Sequence, residues 1–108
     1  MSINILILTH EQIGQNMLSV ATRILGSLPL KALALSVDYD CKPEKIISEL
    51  EIIFSEFQTG DSLLILTDIY GATPSNIAQH FISHKHTKVI AGLNLPMLIR
   101  TLNYAHLS

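Results

Sequence analysis

The hydrophobic pattern of this 108-residue chain alternates between two periods, and that alternation limits the possible folds more than any other feature. Short, nearly continuous apolar runs are typical of strands that are covered on both faces, as in parallel sheets. Apolar residues at helical spacing follow each run. The strands are predicted at residues 3–8, 31–37, 62–67 and 87–91. The pattern therefore predicts four β-α units in series, joined by short connections.

Residues that start or stop helices bound the predicted helices. Gly26 and Gly60 are placed to end the first and second helices. Prolines are placed to begin the second, third and fourth, at Pro43, Pro74 and Pro96. The first helix carries its apolar residues at Ile13, Met17, Val20, Ala21 and Ile24. The third is predicted to run to His84, with its inward face formed by Ile77, Ala78, Phe81 and Ile82.

The order of the strands follows from the connections between them. Right-handed crossovers place helices on both faces of one sheet. The predicted fold class is therefore α/β, with a doubly wound, mainly parallel four-stranded sheet of order 2-1-3-4. In this order the carboxyl ends of the first and third strands lie side by side. His10 follows the first strand and Asp68 the third, so we expect them to converge where open α/β sheets bind ligands.

The expected pair has chemistry suited to a phosphoryl group. An imidazole nitrogen is a nucleophile near neutral pH, and a carboxylate on the other ring nitrogen fixes the tautomer and stabilises the developing positive charge. Asp68 suits that orienting role for His10. In the segment that follows, Gly71 permits unusual dihedral angles and Thr73 is placed as the N-cap of the third helix. The backbone amides of Gly71, Ala72 and Thr73 are predicted to cradle the phosphate.

Composition and charge exclude several other classes. A net charge of -2 without a cluster of Lys or Arg argues against a nucleic-acid partner. The longest apolar runs are far shorter than the ~20 residues of a membrane span, and no export signal is visible, so we expect a cytoplasmic protein without direct membrane insertion. Cys41 is the single cysteine. No metal site is predicted, because the cluster of His80, His84 and His86 has no carboxylate or thiol nearby.

Three segments of the chain resemble one known family. They are the end of the first strand at Thr9 and His10, the segment from Leu66 to Asn76, and the segment from Val89 to Leu98. In combination they resemble the enzyme IIA component of the mannose family of the bacterial phosphoenolpyruvate-dependent sugar phosphotransferase system. The resemblance covers nearly the whole chain.

The resemblance implies a phosphotransferase component that forms a phosphohistidine intermediate. By it, His10 accepts a phosphoryl group from the histidine of the small phosphocarrier protein and passes it to a IIB component or a regulatory target. Asp68 orients the ring so that Nε2 carries the phosphate. Thr73 stands where family members usually have serine, and its hydroxyl is expected to bond a phosphate oxygen. The resemblance also implies a homodimer that needs no cofactor.

Some residues depart from the family pattern. Glu11 stands where members usually have glycine, and it places a carboxylate beside a site that is expected to receive a dianion. Tyr70 and Ala72 replace tryptophan and glycine. We expect a single phosphocarrier domain over residues 1–108 that lacks the further helix and swapped strand with which family members generally continue. Either the chain is shortened or that part lies outside this sequence.

Three alternative functions stay open at this level. Within the family, the domain can serve a regulatory role in which phosphorylation reports carbon or energy status. It can also supply phosphoryl groups to a dihydroxyacetone kinase. Outside the family, a flavodoxin-like module can bind a phosphorylated ligand without chemistry. That module is disfavoured, because the segment from His10 to Gly14 lacks the glycines that wrap a diphosphate.

Overall fold

The computed structural model describes residues 3–27, 31–55, 62–82 and 87–104 of the protein, and strands alternate with helices along these segments. The strands are β1 (Ile3–His10), β2 (Lys31–Val37), β3 (Ser62–Thr67) and β4 (Thr87–Ile90). The helices are α1 (Ile13–Leu25), α2 (Pro43–Ser55), α3 (Thr73–Gln79) and α4 (Leu95–Tyr104). Gly60, the predicted end of the second helix, lies outside the described residues.

The strands form one parallel sheet in the order β2-β1-β3-β4, which confirms the predicted topology. β1 pairs with both of its neighbours. Its pairing with β2 extends to His10, which lies opposite Val37. On the other side, Leu8 lies opposite Thr67, the last residue of β3. The end of β1 therefore projects past the end of β3, and the residue that follows β3 can reach it.

A hydrophobic core lies on each face of the sheet, since successive residues of a strand point to opposite faces. One core joins the sheet to α2 and α3 through Leu6, Leu8, Val37, Ile46, Leu50, Leu63, Ile65, Ile77, Ala78 and Phe81. The other joins it to α1 and α4 through Ile5, Ile7, Ala21, Leu66, Leu93, Leu98 and Leu102. Helices thus cover both faces, as predicted, and this double burial explains the continuous apolar runs of the strands.

Helix α1 packs differently from its sequence pattern. Three of the apolar residues at helical spacing, Ile13, Val20 and Ile24, are 43%, 43% and 60% exposed. The side that faces the sheet carries Gly14, where a Cβ atom would lie 2.5 Å from Cγ2 of Ile7. The helix approaches β1 too closely for a larger side chain at that point. Its broad apolar stripe is therefore only partly used in the core.

Helix α3 is shorter than predicted. It ends at Gln79, whereas the sequence pattern extended it to His84. The amides of residues 80–82 bond carbonyl groups three residues back, at 3.0 to 3.2 Å, which winds the chain more tightly than an α-helix. Phe81 stays fully buried in this turn, but Ile82 is 50% exposed and does not point inward as predicted.

Candidate functional site

The candidate site is built where β1 and β3 end side by side. His10 is the last residue of β1, and Asp68 is the first residue after β3. Nδ1 of His10 lies 2.9 Å from Oδ2 of Asp68, and the backbone N–H of His10 donates to the same oxygen over 3.1 Å. The order of the strands brings these residues together although 58 positions separate them.

Hydrogen bonds keep the Asp68 carboxyl group ionised. Burial works against the charge, since the side chain is only 9% exposed. Hydrogen bonds to the carboxylate outweigh burial and lower the pKa of Asp68 below its ordinary value. The donors are the ring of His10, the backbone N–H of His10 and the backbone N–H of Ile69. An ionised carboxylate can only accept hydrogen bonds. Nδ1 of His10 is therefore the donor in this contact, which leaves Nε2 as the nitrogen with the lone pair in the neutral ring.

The ring of His10 is oriented but still reachable from solvent. Its side chain is 39% exposed. An oriented imidazole with a free lone pair can attack an electrophile such as a phosphoryl group. Among the described segments, no group of three or more His, Cys, Asp or Glu is placed to hold a metal ion; His84 and His86 lie outside those segments.

A buried hydrogen bond fastens the corner between β1 and α1. Oγ1 of Thr9 accepts the backbone N–H of Gly14 over 2.8 Å, and Thr9 is fully buried. The absence of a Cβ atom lets Gly14 approach this close. Because Thr9 directly precedes His10, the bond fixes the backbone from which the imidazole projects.

The predicted phosphate-binding residues lie in the loop between β3 and α3. Gly71 has a φ of 85°, in the left-handed region that favours glycine. Ala72 occupies the N-cap position, and the prediction that Thr73 is the N-cap is wrong by one residue, because Thr73 already begins the helix. Among the described turn and loop hydrogen bonds between backbone groups, none is donated by the amides of Gly71, Ala72 or Thr73.

A contact from the loop between β4 and α4 was missed by the sequence analysis. The N–H of Gly92 donates to the carbonyl of Asp68 over 3.1 Å, and the N–H of Leu93 donates to the carbonyl of Thr67 over 2.9 Å. This loop therefore fastens the end of β3 and the backbone of the orienting carboxylate. In the sequence, the glycine at position 92 was the available indication of a turn in this loop. In the structure its φ is 86°, in the region that favours glycine.

Glu11 is a second feature whose role the sequence did not reveal. Its φ is 46°, in the left-handed region, which glycine adopts more readily than a residue with a Cβ atom. Its Oε1 accepts the backbone N–H of Tyr39 over 2.9 Å.

Exposed apolar residues surround the strand ends, with Tyr39 at 99%, Ile69 at 59% and Tyr70 at 79% exposure.

The described helices include none that is both long and apolar enough to cross a membrane.

Sequence comparisons match the chain to one family. The profile of the EIIA-man family, the PTS system fructose IIA component, matches residues 4–108. The chain is 32% identical over 103 residues to the mannose-specific EIIAB component of the PTS of Escherichia coli K12. This match covers 94% of the chain but 32% of the relative, so the chain spans about a third of the relative's length.

Solved structures of phosphotransferase-system IIA proteins share the fold. The mannose/sorbose specific IIA subunit of Enterococcus faecalis superimposes with a TM-score of 0.83 at 26% identity, over 94% of this chain and 76% of that chain. The EIIA component of Streptococcus agalactiae gives a TM-score of 0.84 over 98% of this chain and 81% of that chain; at 24% identity it supports the fold alone. Because the profile matches nearly the whole chain, the chain belongs to the EIIA-man family of IIA components of the phosphotransferase system (PTS).

Proposed function

We propose that this protein transfers phosphoryl groups in a phosphoenolpyruvate-dependent sugar phosphotransferase system. His10 accepts a phosphoryl group on Nε2 from the phosphohistidine of the small phosphocarrier protein and passes it to a IIB component. The observation that carries the proposal is the 2.9 Å contact between Nδ1 of His10 and Oδ2 of Asp68. The Escherichia coli relative supports a IIB acceptor, since it is an EIIAB component.

The proposed step is an in-line displacement at phosphorus. The lone pair of Nε2 forms a new P–N bond while the P–N bond of the donor histidine breaks, and the electron pair of that bond returns to the donor nitrogen. Nδ1 of His10 keeps its hydrogen, so positive charge develops on the ring. The adjacent Asp68 carboxylate stabilises that charge. In transfer to the acceptor, Nε2 of His10 becomes the leaving group.

The loop after β3 is proposed to hold the phosphoryl oxygens. The backbone amides of Gly71, Ala72 and Thr73 are the donors, since the described loop hydrogen bonds do not use them. The exposed Thr73 adds a hydroxyl. Hydrogen bonds to an anion are stronger than bonds between neutral groups, so several such donors can stabilise a phosphohistidine. The proposal requires no cofactor.

The proposed setting is a cytoplasmic homodimer that exchanges phosphoryl groups with soluble partners, as the family resemblance implies. A role in sugar uptake is favoured over regulation or donation to a dihydroxyacetone kinase. The reason is that the Escherichia coli and Enterococcus faecalis relatives are named for mannose and for mannose and sorbose.

The test is phosphorylation of the purified protein by phosphoenolpyruvate, enzyme I and the phosphocarrier protein. We expect a label that is labile in acid and stable in base, and we expect His10→Ala to abolish it. His80→Ala is the matched control, because His80 is an exposed histidine beyond α3 and should leave the label unchanged. Label that persists in His10→Ala would contradict the assignment.

A further inference from the structure

Glu11 ties the end of β1 to the loop between β2 and α2 at two points. Its backbone N–H donates to the carbonyl of Val37 over 3.1 Å. Its Oε1 accepts the backbone N–H of Tyr39 over 2.9 Å. One residue, directly after His10, therefore bonds the loop on both sides of Asp38 and holds it against the nucleophile's strand.

Glutamate occupies this position at a conformational cost. A residue with a Cβ atom rarely adopts a φ of 46°, and glycine would adopt it without strain. Strained backbone that persists at a functional site is often part of how that site works. What the glutamate contributes here, and glycine could not, is the charge-assisted hydrogen bond to the amide of Tyr39.

The result of that bond is an aromatic ring presented to solvent. Tyr39 lies in a turn closed by the N–H of Cys41 donating to the carbonyl of Asp38 over 3.0 Å, and its side chain is 99% exposed. A fully exposed tyrosine contributes nothing to the core, whereas tyrosine is among the residues that dominate binding energy at protein interfaces. Its position, held by Glu11, therefore points to a contact with another protein.

That contact lies beside the reacting histidine. Because β1 lies between β2 and β3, the loops that follow β2 and β3 flank His10, each roughly 5 Å away in strand spacing. Tyr39 is on one side, and Ile69 and Tyr70, 59% and 79% exposed, are on the other. We therefore expect a protein that brings a phosphohistidine to Nε2 to contact both loops.

We propose that Glu11 is a positioning residue that holds Tyr39 for docking of the phosphohistidine-bearing partner protein. This inference rests on the proposed phosphoryl transfer and adds to it the contact that selects the donor. The fitting partner surface is an apolar pocket beside the partner's phosphohistidine. Lys or Arg should border that pocket, because the exposed Asp38 and Asp40 flank Tyr39.

The test measures kcat and KM for the phosphorylated carrier protein in five single variants and in the double variant of Glu11→Ala with Tyr39→Ala. Tyr39→Ala and Glu11→Ala should each raise KM about tenfold, with kcat within about twofold, since loss of an interface contact weakens docking but not chemistry. The double variant should be no worse than either single variant, because both remove one contact. Glu11→Gln can still accept the hydrogen bond and should stay within about threefold of the wild-type KM.

Glu11→Gly separates docking from folding. It relieves the left-handed backbone, so the midpoint of thermal unfolding should not fall, while KM should rise as in Glu11→Ala. Ile52→Ala is the matched control for an exposed apolar residue, 66% exposed on α2, and should leave KM unchanged.

The possible failures are distinguishable. Unchanged KM in Tyr39→Ala and Glu11→Gly, in a protein that still accepts phosphate, would overturn the positioning role and leave the proposed function standing. A KM for Glu11→Gln as high as that for Glu11→Ala would show that the hydrogen bond to the Tyr39 amide does not set KM, and would also overturn the positioning role. Wild-type protein that takes up no phosphate would overturn both proposals.

Discussion

One oxygen atom of Asp68 serves both the ring and the backbone of His10. Oδ2 lies against Nδ1 and also accepts the backbone N–H, while Oδ1 accepts the N–H of Ile69. Two bonds from a single residue to a single atom restrict rotation of the imidazole. The identity of this pair could be predicted, since both residues lie at the carboxyl ends of buried strands. The shared oxygen could not, because it depends on how far β1 projects past β3.

At the residue scale, Asp68→Ala should slow phosphoryl transfer by roughly tenfold to a hundredfold. The reason is that a hydrogen bond to a charged group contributes about 1.5–3 kcal/mol, and each 1.4 kcal/mol of lost transition-state stabilisation is about tenfold in rate. The measurement is single-turnover phosphorylation from the carrier protein. Circular dichroism of the variant should match that of the wild type. A wild-type rate in Asp68→Ala would remove the orienting role.

The strands and helices show where sequence reasoning succeeds. Strand prediction was accurate for β2 and β3, whose apolar runs are bounded by polar residues or glycine. Gly26 ends α1 as predicted, in a left-handed conformation. The prediction failed at Ile82 and along the exposed side of α1. In both places the outcome depends on tertiary distances, such as the close approach of Gly14 to β1, which hydrophobic periodicity does not encode.

At the element scale, Gly14→Ala should destabilise the protein by about 1–3 kcal/mol, the usual cost of overpacking. The added Cβ would lie 2.5 Å from Cγ2 of Ile7 and 2.9 Å from Oγ1 of Thr9. Urea unfolding measures the effect. Ser19→Ala, at an exposed position of the same helix, should change stability by no more than about 0.5 kcal/mol. Stabilisation by Gly14→Ala, as helix propensity alone would give, would show that α1 can move away from β1.

At the scale of the whole molecule, the rules for connections between parallel strands predicted the strand order and the position of the candidate site. Four β-α units with right-handed crossovers leave few strand orders, and the observed order places the ends of β1 and β3 together. The position of the candidate site therefore followed from topology before any contact was known. The hydrogen bond between Glu11 and Tyr39 could not be predicted from topology, because it joins two loops whose conformations no hydrophobic pattern describes.

The lowered pKa of Asp68 predicts how global stability depends on pH. Because the folded-state pKa lies below the ordinary value of 3.8, the ionised carboxylate stabilises the fold fully above that value. The contribution is lost as the pH falls through the folded-state pKa. As the pH drops below the ordinary pKa of 3.8, the free energy of unfolding should thus fall more steeply in the wild type than in Asp68→Ala. Denaturant titrations at several pH values measure this free energy. The same dependence on pH in the wild type and in Asp68→Ala would contradict the prediction.

Because 58 positions separate His10 from Asp68, the candidate site is complete only after β3 has paired with β1. A nascent or broken chain that ends before β3 has the nucleophile but lacks the acid that orients it. Parallel pairing of distant segments is a slow event in folding, so chemical competence arises late, when the third strand docks. Under the proposed function, uptake of phosphate on His10 would require a completed sheet.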